Sequence, residues 1–147
     1  MTTSTLDTTT RTEANTLRHS TVNNATRLAG RALLAFIFIM AGISKIGAYA
    51  GTQGYMESMG VPGALLPVVI LLEIGAGLAV LLGWQTRVAA FLLAGFSVLS
   101  ALLFHADFGD QMQSILFMKN MAIAGGLLSL VAVGAGGWSI DARYRAS

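Results

Sequence analysis

Four long apolar runs, over about residues 28–46, 63–82, 87–104 and 114–133, alternate with short polar breaks along this chain. At the helical rise each run is long enough to cross a hydrocarbon layer of about 30 Å. The pattern therefore predicts an all-α protein, a four-helix transmembrane bundle. Arg31 and Lys45 bracket the first run as long cations that reach opposite interfaces. Between the first two runs, residues 49–60 mix Tyr55, Met56 and Met59 with polar positions, which suits a short interfacial helix ending at Gly60, with Pro62 opening the second span. Pro67 sits in a first turn, where few backbone bonds are lost. The break at Gly83, Trp84, Gln85, Thr86 and Arg87 is a tight turn, so the second and third spans are antiparallel neighbours, with Thr86 as the expected cap and Trp84 as an interfacial anchor.

Composition agrees with that reading: of 147 residues, 54% are hydrophobic and only 11% charged, too apolar for an ordinary soluble domain of this size. Cysteine is absent, which excludes disulfides, thiolate metal sites and thiol chemistry carried by this chain. Residues 1–26 are Thr-rich and have no apolar core, so they read as a mostly disordered cytoplasmic tail rather than a signal peptide, and residues 142–147 form a second tail. Arg11, Arg18, Arg27, Arg31, Arg87, Arg143 and Arg145 fall on one side of the four spans, against Lys45 and Lys119 on the other. The positive-inside rule then puts both termini in the cytoplasm, in a multi-pass protein of the cell inner membrane. Nucleic-acid binding has no support beyond the sign of the net charge, +2.

Within the spans, the ionisable residues are the candidate chemistry. Glu73 lies eleven residues after Pro62 and ten before Gly83, close to the midplane, where an acid costs about 2.5–3.5 kcal/mol to insert. It must face protein or trapped water. Helical spacing gives each span one small, polar-tipped stripe: Arg31, Ala35, Phe38, Gly42 and Lys45; Glu73, Ala76 and Gly77; Ala94, Ser97, Ala101 and His105; Lys119, Ala122, Gly126 and Ser129. If these stripes pack inward, Ile37, Leu71, Leu92 and Leu128 meet lipid. Glu73, Lys119, Asn120, His105 and Lys45 then form a polar intramembrane pocket, with Lys119 the expected partner of Glu73. The bland alternatives are a buried tether at Glu73 and wet interfacial side chains at Lys45 and His105. On the opposite rim Arg31, Arg87 and Asp141 are candidates for ion pairs that fix helix ends, or simply set topology. One outer-side His with scattered carboxylates makes no metal site, and Met112, Met118 and Met121 read as packing.

Arg31, Met40-Ala41-Gly42-Ile43-Ser44-Lys45, Tyr49-Ala50-Gly51-Thr52, Met59-Gly60-Val61-Pro62-Gly63 and Leu71-Leu72-Glu73 resemble the DoxX family. So do Leu82-Gly83, Thr86-Arg87, Phe104-His105, Phe117-Met118-Lys119-Asn120, Gly125-Gly126 and Trp138-Ser139-Ile140-Asp141, so the resemblance runs over about residues 27–141. It implies a four-helix inner membrane protein. The family's name comes from a subunit of a thiosulfate:quinone oxidoreductase, and other members look like partners of membrane oxidoreductase complexes in oxidative-stress or thiol metabolism. A quinone-linked or redox-associated membrane subunit is thus the first functional expectation, with quinone as the candidate cofactor and either another oxidoreductase subunit or a second copy as partner within the bilayer. A small proton-coupled transporter and a non-catalytic membrane scaffold are the alternatives.

Overall fold

The computed structural model describes the backbone of residues 3–146 and the side chains of residues 20–146. In chain order the elements are α1 (Thr3–Gly47), α2 (Tyr49–Ser58), one 3-10 turn (Gly63–Leu65), α3 (Leu66–Leu82), α4 (Thr86–Phe104), α5 (Gln111–Val133) and α6 (Ile140–Arg145). Four stretches are long and apolar enough to cross a membrane: Ser20–Gly47, Gly63–Leu82, Thr86–Phe104 and Gln111–Val133. They match the four runs of the sequence, except that the first and, by three residues, the fourth begin earlier. Of the tail expected over residues 1–26, the side chains of residues 1–19 lie outside the described ones. From Ser20 the chain is helical and continuous with the first span, since no Gly or Pro interrupts it before Gly30.

The ends of the helices follow from local chemistry. α2 stops where Gly60 takes φ 76°, and the N–H groups of Gly60 and Val61 close back on Glu57 O and Met56 O at 3.0 and 2.9 Å. α3 stops in the same way at Gly83, φ 71°, with Trp84 N–H donating to Ala79 O at 2.9 Å. Asp110 caps α5 by accepting from Met112 N and Gln113 N. The expected cap of α4 is different. Thr86 is the first residue of that helix, and no side chain of its own segment caps it; Asp141, from the far end of the chain, accepts from Gln85 N and Thr86 N at 2.8 and 3.0 Å. A carboxylate completes a helix N-terminus better than a hydroxyl does, because it also meets the positive end of the dipole.

The helices form a ring in which α1 packs on α3, α3 on α4, α4 on α5, and α5 returns to α1. Small residues set the closest approach. A Cβ on Gly42 would stand 2.6 Å from Ile74 Cγ1, and one on Gly77 would stand 2.9 Å from Ile39 Cγ1, so α1 and α3 meet almost backbone to backbone. Ile37, Leu71, Leu92 and Leu128 are exposed, as a lipid-facing surface requires. The stripes of the first three spans face inward as expected: Arg31, Ala35, Phe38, Glu73, Gly77, Ala94, Ser97 and Ala101 are all buried. The fourth is a correction. Lys119, Ala122 and Ser129 are exposed, and α5 buries Ala124, Leu127 and Leu130 instead. Large aliphatic side chains gripping α4 won over the small-residue stripe, since α5 is apolar on all sides and its periodicity fixes no angle.

Candidate functional site: an intramembrane cavity

α3 rises from the 3-10 turn after Pro62 and places Glu73 two turns above its start, on the face turned to α1. Gly42 lets that face come close: its absent Cβ would lie 3.3 Å from Glu73 Cβ. One turn further along α1 stands Lys45, whose Nζ donates to Glu73 Oε1 at 2.8 Å. The contact is a salt bridge between a buried acid and a half-buried lysine. Glu73 is 3% exposed, and its second oxygen, Oε2, is buried with no hydrogen-bond partner.

Beside this pair opens a cavity of about 350 Å³. Its walls come from α1, α2, the 3-10 turn, α3 and α4. Lys45 of α1 and Glu73 and Val69 of α3 form one side, while Phe96, Leu99, Ser100 and Leu103 of α4 form the other. Thr52, Tyr55 and Met56 of α2 close the end, and Tyr55 stacks on Phe104 with ring centroids 5.6 Å apart. His105, just past the end of α4, also lines the space and makes a 2.8 Å Nδ1 contact with Gln113 Oε1. The lining is mostly apolar, with a few convergent polar groups, which is the usual make-up of a small-molecule site.

The structure thus brings together three of the five residues expected in the pocket: Lys45, Glu73 and His105. Lys119 and Asn120 are elsewhere. Lys119 is exposed on α5, and Asn120 Nδ2 donates to Leu116 O one turn back at 3.0 Å. The expected Glu73 partner was wrong for a topological reason: α5 packs on α4 and lies across the ring from α3, while α1 is adjacent. Sequence reasoning also missed the contribution of α2. Its aromatic Tyr55 and buried Met56 were visible in an otherwise polar segment, and they were the available signal.

On the opposite rim the three expected residues each bind backbone groups rather than one another. Arg31, 1% exposed, donates to Ala135 O at 2.7 Å, Trp138 O at 2.9 Å and Leu81 O at 3.4 Å. Arg87 donates to Ala132 O at 3.4 Å. Asp141 is held by the α4 N-terminus. Burial alone would raise its carboxyl, yet hydrogen bonds from Thr86 and Gln85 and the charge of Arg145 outweigh this and hold it below the ordinary carboxylate range. Backbone groups win here because helix ends supply orphan carbonyls to cations and orphan N–H groups to acids. Among the described residues no cluster of His, Asp and Glu has the arrangement of a metal site.

Comparison with known proteins fits this architecture. The DoxX family model matches residues 26–106. The inner membrane protein YqjF of Escherichia coli (strain K12), whose motifs this sequence resembles, is 54% identical over 114 residues, which cover 78% of this chain and 88% of the relative. The inner membrane protein YphA of the same organism is 34% identical over 123 residues, covering 79% and 88%. No solved structure gives a significant match. Four spans and inner membrane relatives make this a multi-pass inner membrane protein, and the chain belongs to the DoxX family.

Proposed function

We propose that the cavity receives the headgroup of a membrane quinone and that the protein works as a quinone-linked subunit beside a membrane oxidoreductase, with both termini cytoplasmic and the cavity in the outer half of the bilayer. One observation carries this reading: an apolar, partly aromatic chamber lined by the Lys45–Glu73 pair and, elsewhere on its wall, by His105. The residues fit the group. A quinone needs donors at its carbonyl oxygens, and Lys45 Nζ has further N–H groups beyond the one used on Glu73. A quinol needs acceptors, and Glu73 Oε2 is buried without a partner. In the tautomer whose Nδ1–H donates to Gln113 Oε1, His105 Nε2 is a second acceptor. Tyr55, Phe96 and Phe104 give a flat ring its apolar surroundings. Bound there, a quinone would supply two-electron, two-proton chemistry; the chain's own part is to orient the ring and hold protons at Glu73 and His105.

The test is purification in mild detergent, followed by extraction and chromatography for quinone and by titration of the protein with a short-chain benzoquinone. Co-purified quinone, or saturable binding weakened at least tenfold by E73Q, supports the proposal. Protein free of quinone and without saturable affinity refutes it. Solute flux driven by a pH gradient in proteoliposomes would favour the transporter alternative.

A further inference from the structure

The cavity's walls differ in what lies behind them. Its charged pair, Lys45 and Glu73, lies where α1 meets α3, while Thr52 and Tyr55 of α2, Ser100 of α4 and His105 just past α4 add polar atoms elsewhere on the wall. Three of its apolar members are also on the outer surface of the bundle: Leu65 is 48% exposed, Leu99 54% and Leu103 41%. Leu65 flanks α3, and Leu99 and Leu103, one turn apart, flank α4. These two helices share a tight turn at one end but pack on each other less than α3 packs on α1 or α4 on α5. The gap between them at the far end is the cavity. At the α2 end of the cavity Tyr55 stacks on Phe104, and buried Met56 lines the same wall.

We infer that the chamber loads sideways from the lipid, through a window between α3 and α4 framed by Leu65, Leu99 and Leu103, so that its ligand is a lipid-soluble molecule that leaves its hydrocarbon chain in the bilayer. Side chains that line a cavity and also face acyl chains give a hydrocarbon tail a continuous apolar path. The Lys45–Glu73 pair lies at the inner end of that path, where a head would stop. A water-soluble solute would have to pass α2, where Met56 is buried and Tyr55, itself 47% exposed, stacks on Phe104. The inference rests on the cavity being a ligand site, as proposed above, but not on the ligand being a quinone.

The chain has two tryptophans, Trp84 and Trp138, both at the turn end of the bundle, so a W84F/W138F background is free of tryptophan and can report from one added probe. Three probes are compared in phosphatidylcholine vesicles whose acyl chains are brominated, and again with acrylamide in the water: F96W in the cavity wall, L99W on the lipid-exposed frame and F38W in the closed core. Quenching of F96W by brominated chains at no less than half that of L99W, with weak acrylamide quenching, supports lateral loading. A further fall toward the F38W value when L65F and L103F narrow the window supports it as well. F96W that behaves like F38W toward lipid, or that acrylamide quenches more than brominated chains do, overturns it. Adding a decyl-substituted benzoquinone to F96W separates the two readings: lipid quenching without quinone quenching leaves the window standing and removes the quinone, whereas quinone quenching with a lipid-shielded F96W does the reverse.

Discussion

Replacing Lys45 by Met should destabilise the protein far more than replacing Glu73 by Gln, although the two residues share one bond. At 2.8 Å and an effective dielectric near 20 the gross attraction is about 6 kcal/mol, set against a desolvation penalty of several kcal/mol for each buried ion. The net worth of the pair is therefore small, and the single variants differ in what they strand. K45M leaves a carboxylate whose side chain is 4% exposed with neither oxygen partnered. Breaking a buried pair in this way costs about 3–5 kcal/mol. Protonation limits the loss, because an acid with an ordinary pKa near 4.3 is neutralised at pH 7 for about 4 kcal/mol. E73Q strands only Lys45, 26% exposed, which keeps the Gln carbonyl as acceptor and can turn toward the interface, so about 1 kcal/mol is expected. Reversible unfolding in mixed micelles measures both variants and the double variant, which should be less destabilised than K45M alone. K45M within about 0.5 kcal/mol of the parent, the range of ordinary surface substitutions, or E73Q costlier than K45M, would refute the reasoning.

Asp141→Asn should cost about 1 kcal/mol as a lost cap on α4. Because the folded carboxyl titrates below its ordinary value, its contribution is complete above about pH 4 and disappears as the pH falls through the lowered folded value; acid unfolding curves of the parent should lose stability there while those of D141N do not. Gly77→Val should cost about 1–3 kcal/mol by forcing Ile39 away, whereas Gly75→Ala, with open space around it, should leave thermal stability unchanged or slightly raised. Arg31→Met should lower the melting temperature sharply, since three carbonyls lose a charged donor at once; an unchanged melting temperature would contradict that role. A fluorescent protein fused after Ser147 should be bright, as expected of a cytoplasmic C-terminus, and an alkaline phosphatase fused there inactive.

The spans were legible because the bilayer imposes a length and a composition that the sequence repeats four times, and Gly60 and Gly83 announced their helix ends through the left-handed geometry that only glycine accepts easily. The inward faces of α1, α3 and α4 were legible because each carries a polar or small residue that lipid would reject. α5 gave no such angular signal, so Lys119 was placed inside when it is outside. Partner identity was not legible either, since Lys45 and Lys119 enter from the same side, and only the order of helices around the ring decides which reaches Glu73.

The two ends of the bundle use charge in opposite ways. At the turn end Arg31 and Asp141 bond to backbone groups, tying α1, α3, α4 and the C-terminal segment into one knot with Gly83 at its centre, where a Cβ would meet both Arg31 Nη1 and Ser139 Cβ at 2.5 Å; Arg31 Nε and Thr86 Oγ1 are left there without a partner, sealed inside that packing. No ligand competes for those atoms without unpicking helix ends. At the other end Lys45, Glu73 and His105 bond to side chains, and donor and acceptor capacity is left over at Lys45 Nζ and Glu73 Oε2. A locked end lets α3 and α4 stand apart at the open one without loss of the ring, which is why the cavity and its unsatisfied oxygen lie far from the turn that joins them.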